Sequence, residues 1–172
     1  MLRKTFLATL CASTLITAIA PVYAAPIQEL KSEQGTLEVT PIVEGLDHPW
    51  ALAFLPDRQG MLVTERPGNL RLVSADGKLS APLDGVPKVW AKGQGVLLDV
   101  ELSPDFKQDR TVYLSYAEGG GKGDKAGTAV GRGQLSQDLK TINNFKVIFR
   151  QEPKLSVGNH FGSRLVFDRD GY

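Results

Sequence analysis

Three stretches of this chain repeat one pattern. "WALAFLPDRQGMLVTER" from Trp50, "LLDVELSPDFKQDRTVYLSYAE" from Leu97 and "SRLVFDRDGY" from Ser163 each run from an apolar strand, through a turn of Pro, Asp or Gly, toward a second strand. The corresponding aspartates are Asp57, Asp105 and either Asp168 or Asp170, so the intervals are 48 residues and then 63 to 65. A strand pair of this kind buries one flat face, so each sheet needs neighbours on both sides. Units of about 40 to 50 residues with four strands apiece are the spacing of β-propeller blades. The longer second interval is absorbed by the loop "EGGGKGDKAGT", which can lengthen without disturbing strands.

The rest of the chain agrees with an all-β reading. Glycine and proline, 18 and 10 residues of 172, are scattered between short apolar runs, as in strands joined by tight turns. The runs predict strands at Leu37 to Val43, Trp50 to Leu55, Met61 to Glu65, Leu70 to Ser74, Leu97 to Leu102, Thr111 to Ala117, Thr128 to Leu135, Phe145 to Arg150 and Gly162 to Phe167. No amphipathic helix is evident after residue 24. About two blades and the first strand of a third do not close a ring, and six such units need roughly 250 residues. The chain therefore reads as the N-terminal part (25–172) of a larger propeller domain.

Residues 1–24 read as a secretory leader. Arg3 and Lys4 precede an apolar run, and Val22-Tyr23-Ala24 places a small residue at the cleavage position. The run is broken by Thr9, Ser13, Thr14 and Thr17 and is short for a membrane anchor. A periplasmic or secreted location is the expectation. The single cysteine, Cys11, leaves with the leader, so no disulfide is expected in the exported protein. Without Arg3 and Lys4, 18 basic residues face 19 acidic ones, a net charge of −1 that offers no basic field for nucleic acid.

Few residues are placed to carry chemistry. Gly121, Gly123 and Ala126 have the G-x-G-x-x-A spacing, but the strand-like alternation that follows offers no helix N-terminus for a pyrophosphate. Neither His48 nor His160 has a zinc-site partner at ligand spacing. His48, before Pro49, suits a turn. His160 lies between Gly158 and Gly162 ahead of an inner strand, where propeller loops converge on the central channel and an imidazole can act as a general base. The bland reading, a packed or solvated histidine, stands beside it. Gln94 sits between two glycines ahead of another inner strand and, like Asn159, offers both a donor and an acceptor to a hydroxylated ligand. Asp99 and Glu101 share a strand face by period two, a pair as suited to hydrogen bonding as to catalysis.

"GLDHPWALAFLPDRQGMLVTERPGNLRLV", "GQGVLLDVELSPDF" and "GNHFGSRLVFDRDGY" resemble, in order and context, the soluble quinoprotein sugar dehydrogenases of the glucose/sorbosone dehydrogenase family, the aldose-oxidising members above all. The resemblance runs from about Leu37 to Tyr172, and its motif His-x-Gly-x-Arg-Leu begins at His160. It implies a six-bladed propeller that binds pyrroloquinoline quinone and calcium and oxidises an aldose at C1 to the lactone. In it His160 matches the general base and Gln94 a substrate-orienting glutamine. Asn159 stands where the glucose-oxidising branch carries Asp, which leaves the sugar preference open; the electron acceptor is open as well. The residues that hold quinone and calcium are expected beyond Tyr172, with no metal ligand in this segment, so the 172-residue chain alone should be inactive. Two other readings remain at this point: a propeller that binds sugar or another ligand without redox chemistry, and a calcium-dependent lactonase for which Asp99 is the evident metal ligand.

Overall fold

A computed structural model describes residues 28–121 and 124–172. The leader reading and Cys11 lie outside these residues. The chain divides into two compact units, Met1–Pro41 and Ile42–Tyr172. In the first, β1 (Gln28–Ser32) and β2 (Gly35–Val39) form an antiparallel hairpin with every residue exposed. The sequence reading missed β1, which lacks the apolar run that marks the other strands, and carried β2 past its end toward Val43.

The second unit holds two antiparallel sheets in simple meander order. The first is β3 (Pro49–Phe54), β4 (Met61–Glu65) and β5 (Leu70–Val73); the second is β6 (Leu97–Leu102), β7 (Thr111–Gly119), β8 (Ala126–Leu135) and β9 (Ile142–Arg150). A short stretch after β5 completes the first sheet, since Ser80 and Leu83 donate their N–H groups to Leu72 and Leu70. The sheets are blades of the propeller type. Leu62, Leu70, Leu97, Val112 and Leu114, all fully buried, belong to one core that both sheets share, and removing such surface from water is the main force holding them together.

The repeat seen in the sequence is a repeat of hydrogen bonds. The ladder of each inner strand is interrupted by a register shift, between Pro49 and Leu52 in β3 and between Leu97 and Val100 in β6. Such a bulge leaves a backbone N–H without a ladder partner. In β3 the Ala51 N–H donates to Thr64 Oγ1 (3.0 Å), and the Thr64 hydroxyl donates onward to Leu98 O (2.7 Å) in the next blade. In β6 the Asp99 N–H donates to Ser115 Oγ (2.9 Å), and the Ser115 hydroxyl donates to Ser163 O (2.6 Å). Each bulge is thus satisfied by a hydroxyl that also reaches the following unit. The repeat turns meet as well: Lys107 Nζ lies 2.7 Å from Asp57 Oδ1.

One expectation needs correction. Gly162 to Phe167 joins no ladder among the described residues, because no neighbouring strand is there to receive its backbone. Its burial still alternates, with Ser163, Leu165 and Phe167 half-buried and Arg164 and Val166 exposed. As expected of an all-β chain, helix among the described residues is limited to one turn, α1 (Phe106–Asp109), and a 3-10 turn at Pro56–Arg58, both within the repeat turns. Among the described residues no helix is long and apolar enough to cross a membrane.

Candidate functional site

Four separated pieces of the second unit surround one open cavity of about 560 Å³. β3 contributes Trp50, the β4–β5 turn Arg66, the segment leading into β6 Gln94, and the segment after β9 His160 and Phe161. Val96 and Leu98, both buried, supply apolar wall. The result is a concave site with an apolar lining and a few polar groups, the usual composition of a small-molecule pocket.

Gln94 and His160, 66 positions apart in the chain, meet here. The His160 backbone N–H donates to Gln94 Oε1 (2.9 Å), and the Gln94 N–H donates to Gly158 O (2.9 Å). His160 has φ 60°, in the left-handed region that costs a non-glycine residue about 1 kcal/mol. The bond to Gln94 helps to hold that conformation and leaves the Gln94 amide NH2 for a ligand. Both residues are exposed. Asn159 is exposed too but is not among the cavity-lining residues, so the structure brings together two of the three expected side chains.

The backbone must come close to make this junction. Gly93 has φ 55°, and a Cβ there would lie 2.6 Å from Gly158 O, so only glycine fits without displacement. Arg66 Nη2 donates to Gly93 O (2.6 Å), fastening the first blade to the Gln94 loop. Below, Trp90 packs against Phe161 with ring centroids 6.0 Å apart. Its indole N–H donates to Asp124 (2.8 Å), and Lys92, then Trp90, hold that exposed carboxyl below the usual carboxylate range. Sequence reading missed Arg66 and Trp50; both lie in the repeat, where they look like ordinary strand-end residues.

The other candidates take structural places. His48, exposed at φ 51°, pairs with the neighbouring Asp47 outside the cavity. Asp99 is 1% exposed and accepts the Leu165 N–H at 2.6 Å, with Arg164 Nη1 3.4 Å from its other oxygen. Glu101 is half-buried; burial first, and the Asp99 charge second, push its carboxyl above the ordinary range. Asp99 therefore serves hydrogen bonding. The G-x-G-x-x-A stretch leads directly into β8 at Ala126.

These blade-type sheets, with a largely apolar cavity bearing a few polar groups where their inner strands begin, define a propeller-type ligand site. Over residues 46–172 the sequence matches the family described as Glucose / Sorbosone dehydrogenase. It is 57% identical over 158 residues to aldose sugar dehydrogenase YliI of Escherichia coli K12, which covers 92% of this chain and 40% of the relative. It is 31% identical over 113 residues to quinoprotein glucose dehydrogenase B of Acinetobacter calcoaceticus, over 63% of this chain and 24% of that one. The crystal structure of soluble aldose sugar dehydrogenase from Escherichia coli in the apo-form superposes with TM-score 0.68 at 65% identity, covering 71% of this chain and 35% of that one. The PQQ-bound form of aldose sugar dehydrogenase from Streptomyces coelicolor does so with TM-score 0.64 at 26% identity, over 85% and 40%. The chain belongs to the glucose/sorbosone dehydrogenase family. It spans about two-fifths of the length of the Escherichia coli and Streptomyces coelicolor aldose sugar dehydrogenases that it matches.

The residues present fit the implied cofactors only in part. Among the described residues no group of three or more His, Cys, Asp or Glu is placed to hold a metal ion. The cavity presents one guanidinium, Arg66, already donating to Gly93 O, whereas the carboxylates of pyrroloquinoline quinone call for several cationic partners.

Proposed function

We propose that this chain supplies the substrate-facing wall of a quinoprotein that oxidises the C1 hydroxyl of aldose sugars to lactones. The observation that carries the reading is the cavity shared by His160 and Gln94, joined by their 2.9 Å hydrogen bond, in a member of this family. Pyrroloquinoline quinone, with calcium, supplies the hydride acceptor when bound. His160 takes the C1 hydroxyl proton through its imidazole. Hydride leaves the C1 carbon readily only as that oxygen gains negative charge, so a base within hydrogen-bond reach lowers the barrier, typically by a factor of about 10² to 10⁴. Gln94 offers its amide NH2 to a sugar oxygen, and Trp50 and Phe161 offer apolar surface to the faces of the ring. Asn159, exposed beside His160, meets hydroxyls that protrude from the cavity. Removal of the leader after Ala24 places the enzyme outside the cytoplasm.

The lactonase reading loses its metal ligand, because Asp99 is buried and committed to Leu165 and Arg164. A binding propeller without redox chemistry remains the contrast. The test is sugar-dependent dye reduction by the complete protein that contains this chain, with added quinone and Ca²⁺, beside calorimetry with the same sugars. Turnover supports the dehydrogenase; saturable sugar binding with no turnover overturns it.

A further inference from the structure

The stretch from His160 to Leu165 carries the proposed base and joins no sheet ladder among the described residues. Four side chains hydrogen-bond to its backbone. Gln94 accepts the His160 N–H (2.9 Å), the Thr128 hydroxyl donates to Phe161 O, the Ser115 hydroxyl donates to Ser163 O (2.6 Å), and Asp99 accepts the Leu165 N–H (2.6 Å). Residues 161, 163 and 165 alternate, as they do along one edge of an extended strand. β6, β7 and β8 each provide one of the three side chains.

The Asp99 contact stands outside the repeat. At the seam between the first and second blades the bulge is met by the hydroxyl relay, from Ala51 through Thr64 to Leu98, with no carboxylate at the bulge position. The seam beside His160 repeats that relay through Ser115 and adds a carboxylate: the position equivalent to Ala51, whose N–H meets the hydroxyl, is Asp99. A carboxylate 1% exposed carries a large desolvation cost. Ala51 shows that the bulge itself does not require one. The bulge turns the Asp99 side chain toward that segment, where one oxygen takes the Leu165 N–H and the other faces Arg164.

We infer that Asp99 is a positioning residue for His160, fixing the far end of the segment whose near end Gln94 holds. The inference rests on the reading of His160 as the base. Replacing Asp99 by Leu removes the acceptor and leaves the Leu165 N–H unpaired; replacing it by Asn keeps one carbonyl oxygen for that bond.

The experiment compares Asp99→Leu, Asp99→Asn and His160→Ala with wild type in the complete dehydrogenase containing this chain. Amide hydrogen exchange is read by peptide, and kcat and KM are read with one aldose. Asp99→Leu is expected to speed exchange in the peptide covering 160–166 about tenfold, leaving β7 and β8 peptides unchanged, and to lower kcat about tenfold at a KM within about twofold. Asp99→Asn is expected to restore both readouts. Unchanged exchange at 160–166 in Asp99→Leu overturns the inference. So does uniformly faster exchange through β6 to β8, which makes Asp99 a residue of the fold alone. If His160→Ala keeps its turnover while Asp99→Leu still frees only the 160–166 peptide, the clamp stands and the base assignment falls.

Discussion

Gln94 Oε1 accepts the backbone N–H of His160 at 2.9 Å, and this one bond spans the loops that open the second blade and the segment after it. The same side chain cannot give that oxygen to a substrate at full strength, so its amide NH2 is the ligand-facing end. Gln94→Met keeps the length of the side chain and removes both functions. The expected outcome is a kcat reduced about three- to tenfold, as for the loss of one exposed hydrogen bond, together with a raised KM for sugar. Steady-state kinetics of the complete enzyme check this; an unchanged kcat contradicts the positioning half of the role.

Glu101 provides a stability prediction with a defined sign. Burial and the Asp99 charge raise its carboxyl above the unfolded value of 4.5, so the folded state binds more protons and stability falls as pH rises through the raised value. Glu101→Gln removes the charged form. Its melting temperature should exceed wild type at neutral pH, and the difference should vanish below about pH 4.5, where both states of the wild type are protonated. Thermal melts across pH measure it; a destabilised variant at neutral pH contradicts it.

Glu65 is fully buried and accepts hydrogen bonds from the Asp47 N–H (2.8 Å), Asn69 (2.9 Å) and Arg71 (3.2 Å). Arg71 is its cationic partner, itself mostly buried. Arg71→Met strands a charge inside the first blade and should cost about 3 kcal/mol in denaturant unfolding, the range for a buried pair broken on one side. By contrast Lys107→Ala breaks the exposed pair with Asp57 and should cost less than about 1 kcal/mol.

The 172-residue chain alone should not oxidise sugar, even with quinone and Ca²⁺ added, because its described residues offer one cavity guanidinium and no acidic metal cluster. Dye reduction by the isolated chain is the measurement, and turnover above the background of quinone alone contradicts the division of the site.

How far the sequence reveals this arrangement depends on the range of the interaction. The repeat and the strands are local, written in alternation and in turns of Pro, Asp and Gly, and they locate β3 to β9 to within a few residues. β1 has no such pattern, being exposed on both sides of its hairpin. Gly162 to Phe167 has the pattern of a strand without the partner, and pairing is not a local property. His160 and Gln94 stand out because glycines flank them in loops that precede inner strands. Arg66 and Trp50 do not, since their functional meaning arises only when separated segments close around one cavity. The hydroxyls of Thr64 and Ser115 were likewise invisible: a Thr and a Ser within strands look ordinary until each is seen to satisfy a bulge and reach the next unit.

The most direct measurement is the rate at which aldose reduces bound quinone in a single turnover of the complete dehydrogenase, wild type against His160→Ala, with quinone and Ca²⁺ saturating. Loss of the base should slow that step by about 10²- to 10⁴-fold while quinone binding persists. Reduction of the quinone at the wild-type rate by the variant contradicts the assignment of this cavity to sugar oxidation through His160.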